Sequence, residues 1–203
     1  MPLISYLIRR GKCRSCGMKI KWIYLLSEIV AGLLFVFPVW FYGNEGFANG
    51  SILVAWAFLS MLIIITVSDI YYQLIPDRVL IFFGIVLVIL YIIYPHYDLV
   101  EGLIGGLVGF ATLYAIGLLG ALLFKKEALG GGDIKLYAVV GLVLGITPMF
   151  LSIFMAAIIG LIFILGFIKD KNQPMAFGPF LALASYVCLF YGHMILEWYF
   201  GLF

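Results

Sequence analysis

Long apolar runs are the feature that most constrains how this chain can fold. Seven such runs, separated by Gly, Pro, Asn or charged residues, cover residues 22–42, 52–70, 78–94, 100–124, 134–147, 150–168 and 177–200. An α-helix needs about 20 apolar residues to cross the roughly 30 Å hydrocarbon core of a bilayer. A transmembrane β-barrel would instead show short segments of alternating polarity. The runs therefore predict an all-α, polytopic membrane bundle of about seven transmembrane helices.

The composition excludes the main soluble classes of protein. Of the 203 residues, 66% are hydrophobic and 11% are charged, whereas a soluble domain carries about 25% charged residues. So few charges cannot cover a surface that faces water. This excludes a soluble enzyme, a nucleic-acid-binding protein and a disordered chain, and it predicts the lipid bilayer as the partner of the apolar faces.

The positions of the basic residues predict how the bundle is oriented. All 12 Lys and Arg residues fall on one side of the membrane in the seven-helix arrangement, together with the N-terminus. The loops 43–50 and 95–98, the turn at Thr147–Pro148 and the C-terminus contain none. Because Lys and Arg concentrate in cytoplasmic loops, the pattern predicts an N-in, C-out topology.

Two of the runs have unusual features. Residues 134–147 cover only about 21 Å at about 1.5 Å per residue, so this segment is either a helix that begins below the membrane surface or half of a re-entrant pair. The run 100–124 carries small-xxx-small patterns, which allow helix backbones to approach closely. We interpret its glycines, Gly102, Gly105, Gly106 and Gly109, as packing residues.

Asp69 and Asp133 are the candidate catalytic residues. Ionisable residues inside membrane spans are costly and are functional candidates by default, and the predicted topology puts both carboxyl groups at the cytoplasmic face at similar depth. Two carboxyl groups in one site of low dielectric do not both ionise readily, so one can activate water while the other polarises a carbonyl. The pair predicts hydrolysis of an amide bond. Taken singly, Asp133 would also suit a helix N-terminus, and Asp69 a helix end.

The three glycines that precede Asp133 predict where a substrate lies. Gly130, Gly131 and Gly132 permit close backbone approach, so an extended strand could lie against them and present its scissile carbonyl to Asp133. An ordinary loop would also contain such glycines.

Four blocks of sequence together resemble the bacterial prepilin (type IV leader) peptidases, a branch of the GxGD intramembrane aspartyl proteases. They are residues 10–16 followed by Glu28, residues 69–77 ending in Ile75-Pro76-Asp77, the GGGDIKL segment 130–136, and Phe177-Gly178-Pro179-Phe180. The resemblance implies that Asp69 and Asp133 are the catalytic pair of an aspartic-type endopeptidase. It makes Asp77 a nearby motif residue. The remaining motif residues would bind substrate or shape the site: Gly130, Gly131, Gly132, Lys135, Pro76, Phe177, Gly178 and Pro179.

The resemblance also implies a substrate and a location. Family members cut the basic leader from prepilins and pseudopilins of type IV pilus and type II secretion systems. The cut is made at the cytoplasmic face of the bacterial inner membrane, without a cofactor for the peptidase step. Lys135 lies close enough to tune the site, although a charge that marks the cytoplasmic side explains it too. A homo-oligomer is compatible with this picture.

Residues 1–21 are predicted to form a basic cytoplasmic segment, separate from a transmembrane peptidase domain of residues 22–203. Cys13 and Cys16 form a CxxC pair, but a structural zinc site uses four ligands, so one pair does not close a site within one chain. Many relatives also N-methylate the new N-terminus with S-adenosylmethionine, through a region that begins with an extra first span. The chain enters the family pattern after that span, which makes methyl transfer doubtful. Zinc and S-adenosylmethionine are expected to bind only where that N-terminal region is present.

Other classes of membrane protein explain this sequence less completely. A retinal photoreceptor needs a lysine in its last span, and residues 177–200 contain none. A non-enzymatic assembly platform would need no carboxylate pair. A small ion-coupled transporter or proton-conducting protein could use the same aspartates and remains the alternative, although the internal repeats typical of transporters are not found.

Overall fold

The computed structural model describes residues 22–94, 98–124, 129–167 and 176–201, together with Ile8, Gly11, Met18 and Lys19. Regular structure in these ranges is α-helical, which confirms the predicted all-α class. The helices are α1 (Trp22–Tyr42), α2 (Glu45–Ala48), α3 (Ser51–Tyr72), α4 (Asp77–Ile93), α5 (Leu99–Phe124), α6 (Gly131–Leu144), α7 (Ile146–Phe167) and α8 (Gly178–Phe200).

The chain divides into two compact units, Met1–Ala48 and Asn49–Phe203. The first contains α1, an apolar helix of 21 residues with Pro38 inside it, and the short α2. The second contains α3 to α8 and every candidate site residue that the structure describes. The domain boundary predicted at residue 22 stays a prediction, because most of residues 1–21 lie outside the described ranges.

Five of the described helices are long and apolar enough to cross a membrane, over Leu25–Tyr42, Ser51–Tyr72, Leu99–Leu123, Ile146–Gly166 and Gly178–Phe200. The chain is therefore a multi-pass membrane protein. Helix α4 has 17 residues and α6 has 14, fewer than the about 20 that a spanning helix needs. The count of seven spans and the N-in orientation remain predictions.

Helices α5 and α6 pack backbone against backbone. A Cβ atom added to Gly105 would collide with the carbonyl oxygen of Gly141, and one added to Gly109 would collide with that of Tyr137. At Gly106 the added atom would lie 2.6 Å from the carbonyl oxygen of Ala138. The small-xxx-small pattern of α5 is therefore a packing surface, as predicted, and α6 contributes Gly141 to the same contact.

These contacts also fix the register of the antiparallel pair. Gly102 faces Leu142, Gly109 faces Tyr137, and Gly117 faces Leu129, which precedes α6. The residues of α5 after Gly117 therefore extend at least about 10 Å past the start of α6, at about 1.5 Å per residue. Helix α6 therefore begins well short of the end of its neighbour α5, while both alternatives for this segment stay predictions.

The connection between α6 and α7 falls at Gly145 and not at the predicted turn, Thr147–Pro148. Gly145 has φ = 71°, a left-handed conformation that glycine adopts without a steric penalty. Pro148 lies in the first turn of α7, where its missing N–H loses no helical hydrogen bond. The proline therefore starts a helix here and does not separate two helices.

A side chain from α4 forms a hydrogen bond with the C-terminal end of α6. The Tyr91 hydroxyl donates to the carbonyl oxygen of Leu142 at 3.1 Å. The last carbonyl groups of a helix have no partner within the helix, so this bond satisfies one of them inside the bundle. Helix α6 is thus held at both ends, by Tyr91 at Leu142 and by the contacts around Asp133 described next.

Candidate active site

Asp69 lies in the last turn of α3 and is only 7% exposed. Its Oδ2 atom accepts a hydrogen bond of 2.8 Å from the backbone N–H of Gly178, the first residue of α8. A helix N-terminus favours negative charge because its N–H groups are free. A Cβ atom at Gly178 would lie 2.7 Å from Asp69 Oδ2, so only glycine allows this approach. The glycine of the Phe-Gly-Pro motif therefore contacts the carboxyl group of Asp69.

Asp133 lies in the first turn of α6 and is 8% exposed. Its carboxyl group interacts with the backbone N–H of Gly130, while its own N–H donates to the Gly130 carbonyl oxygen at 3.1 Å. A Cβ atom at Gly130 would lie 3.1 Å from Asp133 Oδ2. A side chain at position 130 would therefore require a small shift of the Asp133 carboxyl group, and these contacts of Asp133 are local in sequence.

The structure brings the two aspartates together. The two carboxyl groups lie within electrostatic range of each other, and both residues are almost completely buried. Their helices, α3 and α6, are far apart in sequence. The juxtaposition that the sequence predicted from topology is therefore present in the fold, although the roles of the two residues stay a prediction.

The loop that follows Asp69 packs on the glycines that precede Asp133. Ile75 is buried, and a Cβ atom at Gly132 would lie 2.6 Å from the Cβ of Ile75. The Ser68 hydroxyl donates to the carbonyl oxygen of Leu74 at 2.7 Å. The segment 73–76 is thus held against the start of α6, which joins the two candidate motifs into one surface.

An ion pair reinforces this junction. Lys135 Nζ binds both carboxylate oxygens of Asp77, at 2.9 and 2.8 Å. The two side chains are 52% and 57% exposed, and exposed pairs of this kind contribute only about 0–1 kcal/mol. The charge of Lys135 is therefore compensated by Asp77 at the surface.

A groove of about 580 Å³ runs between the two motifs. Its walls contain six of the predicted site residues and Arg78, which sequence reasoning did not single out. A Cβ atom at Gly131 would meet nothing within 4 Å, so the groove is open at the middle glycine. The lining residues are Gln73, Leu74, Ile75, Pro76, Asp77, Arg78, Gly130, Gly131, Gly132 and Lys135.

The other predicted residues lie elsewhere. Pro179 is the second residue of α8. The ring of Phe177 lies against Gly160 of α7, where an added Cβ would be 3.2 Å from its Cε2. Cys13 and Cys16 fall outside the described residues, so the zinc prediction is not addressed there. The described part of the chain contains no group of three or more His, Cys, Asp and Glu placed to hold a metal ion.

Sequence reasoning missed a buried polar contact one turn from Asp133. The Tyr137 and Ser152 hydroxyls lie 3.0 Å apart in the core, and Ser185 is buried near them. Each is a single hydroxyl in an apolar run. The only signal in the sequence is that Tyr137 shares a helical face with Asp133, four residues earlier.

The described helices define a multi-pass membrane protein in which Asp69 and Asp133 are both buried. The type IV leader peptidase family matches residues 56–165, which include both aspartates, and the bacterial peptidase A24 N-terminal domain matches residues 1–42. The chain belongs to the type IV leader peptidase family. The resemblance drawn from the four sequence blocks is thereby confirmed.

Several curated proteins are similar over nearly the whole chain, and each is named a prepilin leader peptidase/N-methyltransferase. The protein of Bacillus subtilis (strain 168) is 35% identical over 98% of this chain and 78% of its own length. That of Pseudomonas aeruginosa is 34% identical over 98% of this chain and 69% of its length. That of Dichelobacter nodosus is 32% identical over 96% and 67%. No solved structure matches the chain.

Proposed function

We propose that this chain is a membrane endopeptidase that removes the basic leader from prepilin or pseudopilin precursors, with Asp69 and Asp133 activating water. The observation that carries the proposal is the buried pair of carboxyl groups within electrostatic range of each other. Family membership and the names of the relatives supply the reaction and the substrate class.

The chemistry needs one proton shared between the two aspartates. Two like charges in a site of low dielectric repel each other, so the singly protonated pair is favoured. The ionised carboxylate takes a proton from water as the water oxygen bonds to the scissile carbonyl carbon. The protonated carboxyl group donates a hydrogen bond to the carbonyl oxygen. The C–N bond then breaks as the leaving amine receives the proton that the carboxylate took from water. Because the pair titrates as a unit, we assign neither role to one residue.

The groove provides the path for the peptide. An intact helix shields its peptide bonds with its own hydrogen bonds, so the substrate must be extended where it is cut. The open space at Gly131 allows an extended backbone to lie against the glycines. The scissile bond would then follow into the buried pair, which requires the segment 73–76 to yield because both aspartates are nearly inaccessible at rest.

The location follows from charge. All 12 Lys and Arg residues lie on the side of the predicted bundle that carries Asp69 and Asp133, so the positive-inside rule puts the site at the cytoplasmic face of the bacterial inner membrane. The proposal thus includes seven spans with N-in, C-out orientation. It concerns type IV pilus or type II secretion precursors, and it leaves N-methylation, S-adenosylmethionine and zinc with the N-terminal region.

Cleavage of a prepilin or pseudopilin by the protein reconstituted in lipid tests the proposal. The parent protein should remove the leader, and Asp69→Asn and Asp133→Asn should each abolish this activity, because an amide cannot take or give the required proton. Asp98→Asn is the matched control. The Asp98 side chain lies at the N-terminus of α5 and accepts N–H bonds from Val100 and Glu101, and asparagine can do the same.

Two results would contradict the proposal. Cleavage at the parent rate by either active-site Asn variant would exclude the two-aspartate mechanism. Failure of the parent to cut any prepilin or pseudopilin, together with ion flux that depends on Asp69 and Asp133, would favour the transporter alternative.

A further inference from the structure

The start of α8 offers a single backbone N–H group to Asp69. The first N–H groups of a helix have no carbonyl partner within the helix. Here Pro179 has no N–H group, and the N–H of Phe180 donates to the carbonyl oxygen of Phe177 at 3.0 Å. Of the first three residues of α8, only Gly178 therefore has an N–H left for Asp69 Oδ2, which accepts it at 2.8 Å. The carboxyl group of Asp69 thus depends on where the first turn of α8 lies.

The ring of Phe177 packs this first turn against α7. Gly160 of α7 is buried, and a Cβ atom added there would lie 3.2 Å from Cε2 and 3.7 Å from Cδ2 of the Phe177 ring. The same atom would lie 3.9 Å from Cδ2 of Phe180. The lack of a side chain at position 160 therefore lets the Phe177 ring lie against the backbone of α7.

A second aromatic ring supports the same turn. The ring centroid of Phe180 lies 5.3 Å from that of Phe163 on α7 and 6.3 Å from that of Phe177, within the range of favourable aromatic contacts. The carbonyl oxygen of Phe177 accepts the N–H of Leu181 at 3.2 Å as well as that of Phe180. Since Phe177 is bonded to the helix that follows it, a shift of its backbone is passed on to α8.

We propose that Gly160 and Phe177 are positioning residues that set where α8 begins and thereby orient the Asp69 carboxyl group. This inference rests on the proposed peptidase function. Phe177 is not among the residues that line the groove, so its ring acts through α7 and not through the peptide. Gly178 is itself in close contact with Asp69, since a Cβ added to it would lie 3.1 Å from Asp69 Cγ. A displaced first turn of α8 therefore displaces the carboxyl group.

Gly160→Val tests the proposal because it adds side-chain atoms where the Phe177 ring already lies. We expect kcat for leader cleavage by the protein reconstituted in lipid to fall by about tenfold, since misplacement of a reacting group by about 1 Å can cost about 10²-fold. KM should not change, because the groove is untouched. Gly166→Val on the same helix is the matched control. A Cβ atom there would meet nothing within 4 Å, so kcat should equal that of the parent.

Phe177→Leu gives an independent measurement that also decides the matter if Gly160→Val does not fold. Leucine lacks the Cε2 atom that lies nearest to position 160. We expect this variant alone to lower kcat by about threefold, because it misplaces the carboxyl group less, with KM unchanged. The double variant should be faster than Gly160→Val, because the shorter side chain leaves room for valine. Such a recovery requires the two side chains to be in contact, whereas independent losses would add.

Three results would overturn the positioning role and leave the proposed function intact. They are a parent kcat in Phe177→Leu, a double variant no faster than Gly160→Val, and a raised KM at parent kcat in Phe177→Leu, which would mean that the ring contacts substrate. A parent protein that cuts no substrate would overturn the proposed function and this inference with it.

Discussion

The two aspartates of the site are held in different ways. Asp133 is held within its own segment of chain, since its N–H donates to the carbonyl oxygen of Gly130, three residues earlier, at 3.1 Å. Asp69 is held by the backbone of Gly178, which is 109 residues away in sequence. One carboxyl group is therefore placed by local structure and the other by the docking of α8. Substitutions of Gly130 and Gly178 should affect kcat to different extents and thereby distinguish local support from long-range support.

Gly178→Ala should have the largest effect. The added methyl would lie 2.7 Å from Asp69 Oδ2 and 3.2 Å from its Cβ, so either the carboxyl group or the start of α8 must move. Because about 1 Å of misplacement can cost about 10²-fold, we expect kcat for leader cleavage to fall by about 10²-fold. Gly166→Ala, whose added methyl meets nothing within 4 Å, serves as the control. Parent activity in Gly178→Ala would show that Asp69 does not depend on α8.

Gly130→Ala should have a smaller effect on the other half of the site. The added methyl would lie 3.1 Å from Asp133 Oδ2, a distance that a shift of a few tenths of an ångström relieves. We expect kcat to fall by about tenfold, on the same relation between misplacement and rate, with the thermal midpoint nearly unchanged. Rate constants at saturating substrate measure this. A loss as large as that in Gly178→Ala would mean that the local support is no more tolerant than the long-range one.

Lys135→Met should have the smallest effect. The lysine is paired with Asp77 in a half-exposed ion pair, which is worth about 0–1 kcal/mol, so the thermal midpoint should shift only slightly and kcat should stay within about fivefold of the parent. A double-variant cycle with Asp77→Asn measures the coupling between the two charges. A kcat loss comparable to that of Gly178→Ala would instead mean that Lys135 acts on Asp133 directly.

Much of this organisation can be predicted from the sequence because a membrane demands contiguous apolar runs. The approximate extents of most helices and the packing role of Gly105 in α5 follow from local pattern. The catalytic role of the two aspartates stays a prediction. The contact of Gly105 with Gly141 and of Gly178 with Asp69 could not be predicted, since pairing of distant segments has no local signal. The proline at 148 was misinterpreted because the same residue suits a turn and the first turn of a helix.

The length of a helix is equally ambiguous in a sequence. Helices α4 and α6 have the apolar character of spans, but with 17 and 14 residues they are shorter than the about 20 residues of a typical spanning helix. A tertiary contact compensates for the shortness of α6. The Tyr91 hydroxyl forms a hydrogen bond with the carbonyl oxygen of Leu142, near the end of α6, inside the bundle. A count of seven spans therefore needs labelling of the loops from each side of the membrane.

The backbone contact between α5 and α6 has a consequence for entropy. Membrane helices form before they associate, so joining two of them costs mainly the freedom of the side chains that become ordered. Glycines at Gly105, Gly109 and Gly141 have no side-chain torsions to lose, and no rotamer change can shift one backbone against the other. Asp133 is thus carried by a helix that packs against α5 through contacts that have no side-chain torsions to order.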